Sequence, residues 1–319
     1  MANGSFSDHY VTARDGLRLH LREYGKRTAP GPPVVCLPGL ARTAADFHLL
    51  AAALAGDPQR PRRVLALDYR GRGLSDHDPD PDNYAIPVEL DDVLSVLTAR
   101  AVASAVFVGT SRGGLILMAL AALRPGAIAG AVLNDIGPVI EPQGLMRIKG
   151  YVGKLPVPGD FAAGAEILCR LFGEQFTRLG EADWLAAAHR TWREQDGRLV
   201  VTYDTRLARA LAAFDPAHPL PPMWAQFDAL AAVPLMVIRG ANSDLLSAAT
   251  VEAMRARRRA MGLLEIPDQG HAPLLAETDT IARIAEFVAE CVSGLRHPGR
   301  THAKTPGGMA AGGLRENHP

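Results

Sequence analysis

An α/β fold, with a mostly parallel central sheet covered by helices on both faces and a helical lid inserted into it, is predicted by three features of the sequence. Short β-branched runs alternate with longer amphipathic stretches, two opening strand-like segments meet at Asp15-Gly16, and the alternation is interrupted once, after Pro138. With 319 residues, 48% of them hydrophobic, the chain is long enough for one large core plus an insertion.

The elements follow in order. Segments 9–13 and 17–24 alternate around Asp15-Gly16, a hairpin turn signal, and predict an antiparallel start to the sheet. Val34–Leu37, Val64–Leu67, 106–108, 128–133 and 235–238 are short apolar runs, the pattern of strands buried on both faces. Regular alternation resumes near Ala231, which assigns 1–139 and 228–293 to the sheet domain and 140–227 to the lid. All three tryptophans, Trp184, Trp192 and Trp224, lie in this lid; with Met146 and Tyr151 they are expected to shape a pocket. Residues 294–319, rich in Gly, Pro, His and basic side chains without apolar periodicity, are expected to be a disordered tail.

Lys plus Arg and Asp plus Glu both number 34, so no global field draws nucleic acid or an anionic membrane, and a small-molecule substrate is expected. Self-association into a homodimer is left open. The first residues, MANGSFSDHYV, lack a basic segment followed by an apolar one, and the longest apolar run, 115–123, is too short to span a bilayer, so a cytoplasmic protein is expected. Cys36, Cys169 and Cys291 form neither a CxxC pair nor a metal-ligand spacing.

The chemistry-bearing motif is Gly109-Thr-Ser-Arg-Gly113, a GxSxG placed between a buried strand and a helical run. A serine on so sharp a turn needs small neighbours, and it sits at a helix N-terminus where free amides favour developing negative charge. Ser111 is therefore the candidate nucleophile and the Arg112 amide one oxyanion donor. The Leu40 amide, in Pro38-Gly39-Leu40 after an earlier strand, is the candidate second donor.

Among ten histidines, His271 in Asp268-Gln-Gly-His271 follows the late strand 263–266 and is the candidate base. Asp244, in Ala241-Asn-Ser-Asp244 after the strand before it, is the expected acid; Asp135, after strand 128–133, is the alternative, with lid entry as its expected role. No metal or organic cofactor is required by this constellation.

Together these residues resemble the α/β-hydrolase superfamily, over about the first 290 residues apart from the lid. The LPGL loop, Asp68-Tyr-Arg-Gly-Arg-Gly73, GTSRGG, RGANSDLL and DQGHAPLL are similar to bacterial serine carboxylesterases, enol-lactonases and meta-cleavage-product C–C hydrolases. The resemblance implies a serine hydrolase acting on a small carboxylic ester or lactone through an acyl-enzyme. A C–C bond hydrolase of a dienone-type substrate, an acyltransferase and a ligand receptor on the same fold are the alternatives. Pro38 stands where many relatives have histidine, which leaves the Leu40 amide available.

Other motifs read as structural. The 68–73 turn lacks the lysine and hydroxyl of a phosphate loop; Asp76, Asp78, Asp80 and Asp82, interrupted by prolines, read as a solvated loop rather than a calcium site. Arg112 is expected to form a salt bridge under the lid, with a substrate-carboxylate anchor as the weaker alternative.

Overall fold

The computed structural model describes residues 4–296. The first two strands, β1 (Phe6–Thr12) and β2 (Arg18–Tyr24), form the expected antiparallel hairpin. Next come β3 (Val34–Leu37), α1 (His48–Gly56), β4 (Val64–Leu67), α2 (Ile86–Ala99), β5 (Ala105–Thr110), α3 (Arg112–Leu123) and β6 (Ile128–Asn134). An inserted segment carries α4 (Pro142–Tyr151), α5 (Phe161–Phe172), α6 (Glu181–Thr191), the hairpin β7 (Trp192–Gln195) and β8 (Arg198–Val201), and the short α7 (Arg209–Ala212) and α8 (Trp224–Asp228). The sheet resumes with β9 (Leu235–Gly240), α9 (Ala248–Arg257), β10 (Gly262–Ile266) and α10 (Thr278–Arg296).

The eight-stranded sheet has the order β1-β2-β4-β3-β5-β6-β9-β10, parallel from β4 to β10 and antiparallel only at β1 and β2. Every residue of β3, β4, β6 and β9 is buried, which is why these segments read as apolar runs. Alternate side chains serve the two faces: Val35, Leu37, Leu65 and Phe107 enter the core shared with α2, α3 and α9. Val34, Cys36, Val64 and Val106 enter the core under α1 and α10. The insertion has a small core of its own, centred on Leu168, Trp184, Ala188 and Trp192.

Several expectations are corrected. The insertion is not wholly helical, because Asp196 and Gly197 adopt positive φ and turn the chain between β7 and β8. Residues 294–296 of the expected tail continue α10, and the rest of that segment lies outside the described residues. Asp78 is not solvated: its carboxylate lies 2.5 Å from the buried Arg70 guanidinium, which also pairs with Asp92 and Asp15. The 68–73 turn is structural, with the buried Asp68 carboxylate accepting the amides of Ala44 and Leu74. No described helix is long and apolar enough to cross a membrane.

Candidate active site

The C-terminal ends of β3, β5, β6, β9 and β10 open on one edge of the sheet, and the loops that follow them carry the predicted site residues. Ser111, between β5 and α3, has φ 51° and ψ −113°, a left-handed conformation that costs about 1–3 kcal/mol for a non-glycine residue. The turn closes because its neighbours have no side chains: a Cβ on Gly109 would lie 2.7 Å from the Gly113 carbonyl carbon, and one on Gly113 would lie 2.1 Å from the Leu37 carbonyl oxygen. The Ser111 amide donates to the Asn134 carbonyl at 2.9 Å, anchoring the turn to β6.

His271, in the loop after β10, has Nε2 at 2.8 Å from Ser111 Oγ and Nδ1 at 2.7 Å from Asp135 Oδ2. A carboxylate only accepts, so Nδ1 carries the ring proton and Nε2 is left as the acceptor for the serine hydroxyl. Asn134 steadies both partners, its side-chain amide donating to Thr110 Oγ1 before the serine and to the Pro273 carbonyl after the histidine.

The expectation that Asp244 orients the histidine is corrected at this point. Asp135 is fully buried and accepts three hydrogen bonds, from the Gly240 amide at 2.9 Å, Ser243 Oγ at 2.6 Å and His271 Nδ1. Asp244 faces α4 instead, where Arg147 grips it through Nε and Nη2 at 2.6 and 2.8 Å. Burial works to raise the Asp244 pKa, but the Arg147 hydrogen bonds and charge outweigh it and hold the carboxyl below its ordinary value. Such a bidentate pair is committed to its arginine.

The Leu40 and Arg112 amides make no hydrogen bond among the described residues. Both belong to residues lining the Ser111 turn: a Cβ on the adjacent Gly39 would lie 3.8 Å from Ser111 Cβ. A buried network that sequence reasoning missed ties these two segments together. Arg72 Nε donates to the Leu40 carbonyl at 2.8 Å, Arg72 Nη1 lies 2.7 Å from Glu89, and the other Glu89 oxygen lies 2.5 Å from Arg112 Nε. Arg112 also donates to the Tyr84 carbonyl, so its side chain is a structural strut, as the salt-bridge reading expected.

Neutralising Glu89 leaves two guanidinium groups without their shared counter-charge in a site where Arg72 and Glu89 are fully buried. Glu89→Gln is expected to destabilise the fold by about 3–5 kcal/mol, read from the midpoint of urea unfolding. A midpoint equal to that of the unaltered protein would show that the carboxylate is not needed as a charge.

A cavity of about 490 Å³ opens onto Ser111 and His271, walled by Ile148, Tyr151, Leu168, Phe172, Trp184 and others. Of the residues expected to shape it, Tyr151 and Trp184 do so. Trp192 is instead buried in the insertion's own core, Trp224 stacks edge-on against Phe227 beneath Arg257, and Met146 faces outward. No group of three His, Cys, Asp or Glu side chains suited to a metal occurs among the described residues.

The profile of the alpha/beta hydrolase family matches residues 34–284, which take in Ser111, Asp135 and His271. The chain belongs to the α/β hydrolase family. The hydrolase is 34% identical over 284 residues to the 3-hydroxybutyrate-oligomer hydrolase of Cupriavidus necator, across 84% of this chain and 93% of that one. Its structure is similar to the crystal structure of an α/β hydrolase from Novosphingobium aromaticivorans DSM 12444, with 43% identity, a TM-score of 0.82 and coverage of 89% and 98% of the two chains. E-2-(acetamidomethylene)succinate hydrolase shares the fold at 22% identity and a TM-score of 0.74, over 89% of this hydrolase and 100% of that chain.

Proposed function

We propose that this hydrolase cleaves small carboxylic esters through an acyl-enzyme on Ser111. The observation that carries the reading is the relay from Ser111 Oγ to His271 to Asp135, with spacings of 2.8 and 2.7 Å, at the floor of a largely apolar cavity. His271 Nε2 takes the serine proton as Oγ attacks the ester carbonyl. The Leu40 and Arg112 amides receive the oxyanion, and Asp135 stabilises the imidazolium. The imidazolium then protonates the departing alkoxide, and His271 activates the water that releases the acid.

The substrates favoured are short aliphatic hydroxy-acid esters, including linear dimers of 3-hydroxybutyrate. The 34% identity to an oligomer hydrolase over most of both chains supports this choice, as does a cavity walled by Leu, Ile and Phe side chains. The experiment is a panel of p-nitrophenyl butyrate, short lactones, a dienone and the linear 3-hydroxybutyrate dimer, incubated with purified protein. Turnover of butyrate ester and dimer is expected, with slower lactone opening and no dienone cleavage. Cleavage of the dienone alone would replace ester hydrolysis with C–C bond hydrolysis.

A further inference from the structure

The chain as a whole is electrically balanced, 34 basic side chains against 34 acidic. The cavity above Ser111 is not: Arg22, Arg42 and Arg190 line it and Asp46 is the single carboxylate among its walls. Arg42 follows the Leu40 loop, and Arg190 comes from the last turn of α6 in the insertion. Both converge on one oxygen, with Arg42 Nη2 at 2.9 Å and Arg190 Nε at 3.3 Å from Asp46 Oδ1. The other oxygen of Asp46 already accepts the Thr43 amide at 3.1 Å.

Two cations thus share one carboxylate as their ion-pair partner, with Asp183 acting on Arg190 only at longer range. The buried Arg72 and Arg112 pair on Glu89 differs, because backbone carbonyls of Leu40, Arg70 and Tyr84 take up further guanidinium donors there. Arg42 and Arg190 have no side-chain hydrogen-bond acceptor besides Asp46 among the described residues. Their side chains remain 39% and 26% exposed, so donors are open to a ligand in the cavity. Burial, together with the Arg42 charge, holds Arg190 below the ordinary arginine value in spite of Asp46 and the more distant Asp183. Arg42 and Arg190 line the same cavity as Ser111 and His271, and the stem of Arg42 starts beside the nucleophile, since a Cβ on Gly39 would lie 3.3 Å from Arg42 Cγ and 3.8 Å from Ser111 Cβ.

We propose that Arg42 and Arg190 form a carboxylate-binding subsite, and that the preferred substrates are esters carrying a free carboxylate at one end of a short aliphatic chain. The position of the ester in this proposal rests on the ester-hydrolase reading above. A carboxylate matches the paired donors of a guanidinium fork, and one such anion neutralises the surplus charge that Asp46 leaves. Asp46 holds the two arginines together, and a low-dielectric apolar wall focuses their field on the approaching anion. Because Arg190 belongs to the insertion and Arg42 to the sheet domain, the bound anion bridges both parts of the chain.

The test separates binding from turnover. In the Ser111→Ala protein, calorimetry compares the linear 3-hydroxybutyrate dimer as its free acid with the methyl ester of the same dimer. The acid is expected to bind about tenfold to a hundredfold more tightly, the range for hydrogen bonds to a charged group. This preference should fall toward unity when Arg42→Met and Arg190→Met are added, and should weaken with rising salt. Equal binding of acid and methyl ester by Ser111→Ala alone overturns the subsite, whether or not the arginine variants fold. Should the acid be preferred while wild type fails to cleave p-nitrophenyl butyrate or the dimer, the hydrolase reading falls and the subsite stands. Cleavage of both esters with no preference for the acid is the reverse result.

Discussion

Ser111→Ala is expected to abolish ester turnover, with a loss approaching a millionfold in kcat, while the melting temperature stays within a few degrees of wild type. The size follows from the behaviour of nucleophile-base units, in which removing the serine costs about as much as removing every partner. Stability should hold because the hydroxyl's hydrogen bond is to His271 alone, and the strained turn is held by the close approach of Gly109 and Gly113 rather than by the hydroxyl. A fluorophosphonate should add one adduct to wild type, at Ser111, and none to the variant. An adduct on another residue, or unchanged turnover in the variant, removes Ser111 from the mechanism.

The second large effect separates two aspartates. Asp135→Asn is expected to lower kcat by about 10⁴-fold, the loss seen when the orienting carboxylate of a serine protease is made an amide. An amide at that position can donate to His271 Nδ1, which places the ring proton on Nε2, the atom that must accept the serine proton. Asp244→Asn should leave kcat within about tenfold, since its carboxylate is held by Arg147 and does not touch the imidazole. It should instead lower stability, because Arg147 is largely buried and would keep its charge without the counter-charge. Rates and urea midpoints of both variants decide the matter, and a dead Asp244→Asn beside an active Asp135→Asn would return the acid role to Asp244.

Much of the molecule was legible in the sequence where local sterics or burial leave one solution. The apolar runs predicted β3 to β6 and β9 because strands covered on both faces carry few polar residues, and those only where a partner satisfies them, as for Asn134 and Arg239. The sharp turn at Ser111 was legible because Gly109 and Gly113 stand where a Cβ meets backbone. His271 followed from its place after the last strand. The Arg42 and Arg190 pair left only a partial trace, the four-residue spacing of Arg42 and Asp46, since Arg190 arrives from 144 positions beyond Asp46.

The choice between Asp135 and Asp244 belongs to the tertiary structure alone. Strands β6 and β9 lie side by side and parallel, so the loops after both open beside His271, and strand order does not rank them. What ranks them is the company each carboxylate keeps. Ser243 and the Gly240 amide turn Asp135 toward the histidine, whereas Arg147, arriving on α4 from 97 residues earlier in the chain, claims Asp244. A bidentate cation outcompetes a neutral imidazole for a carboxylate, and where that cation arrives is set by the packing of α4 against the loop after β9, not by any local pattern.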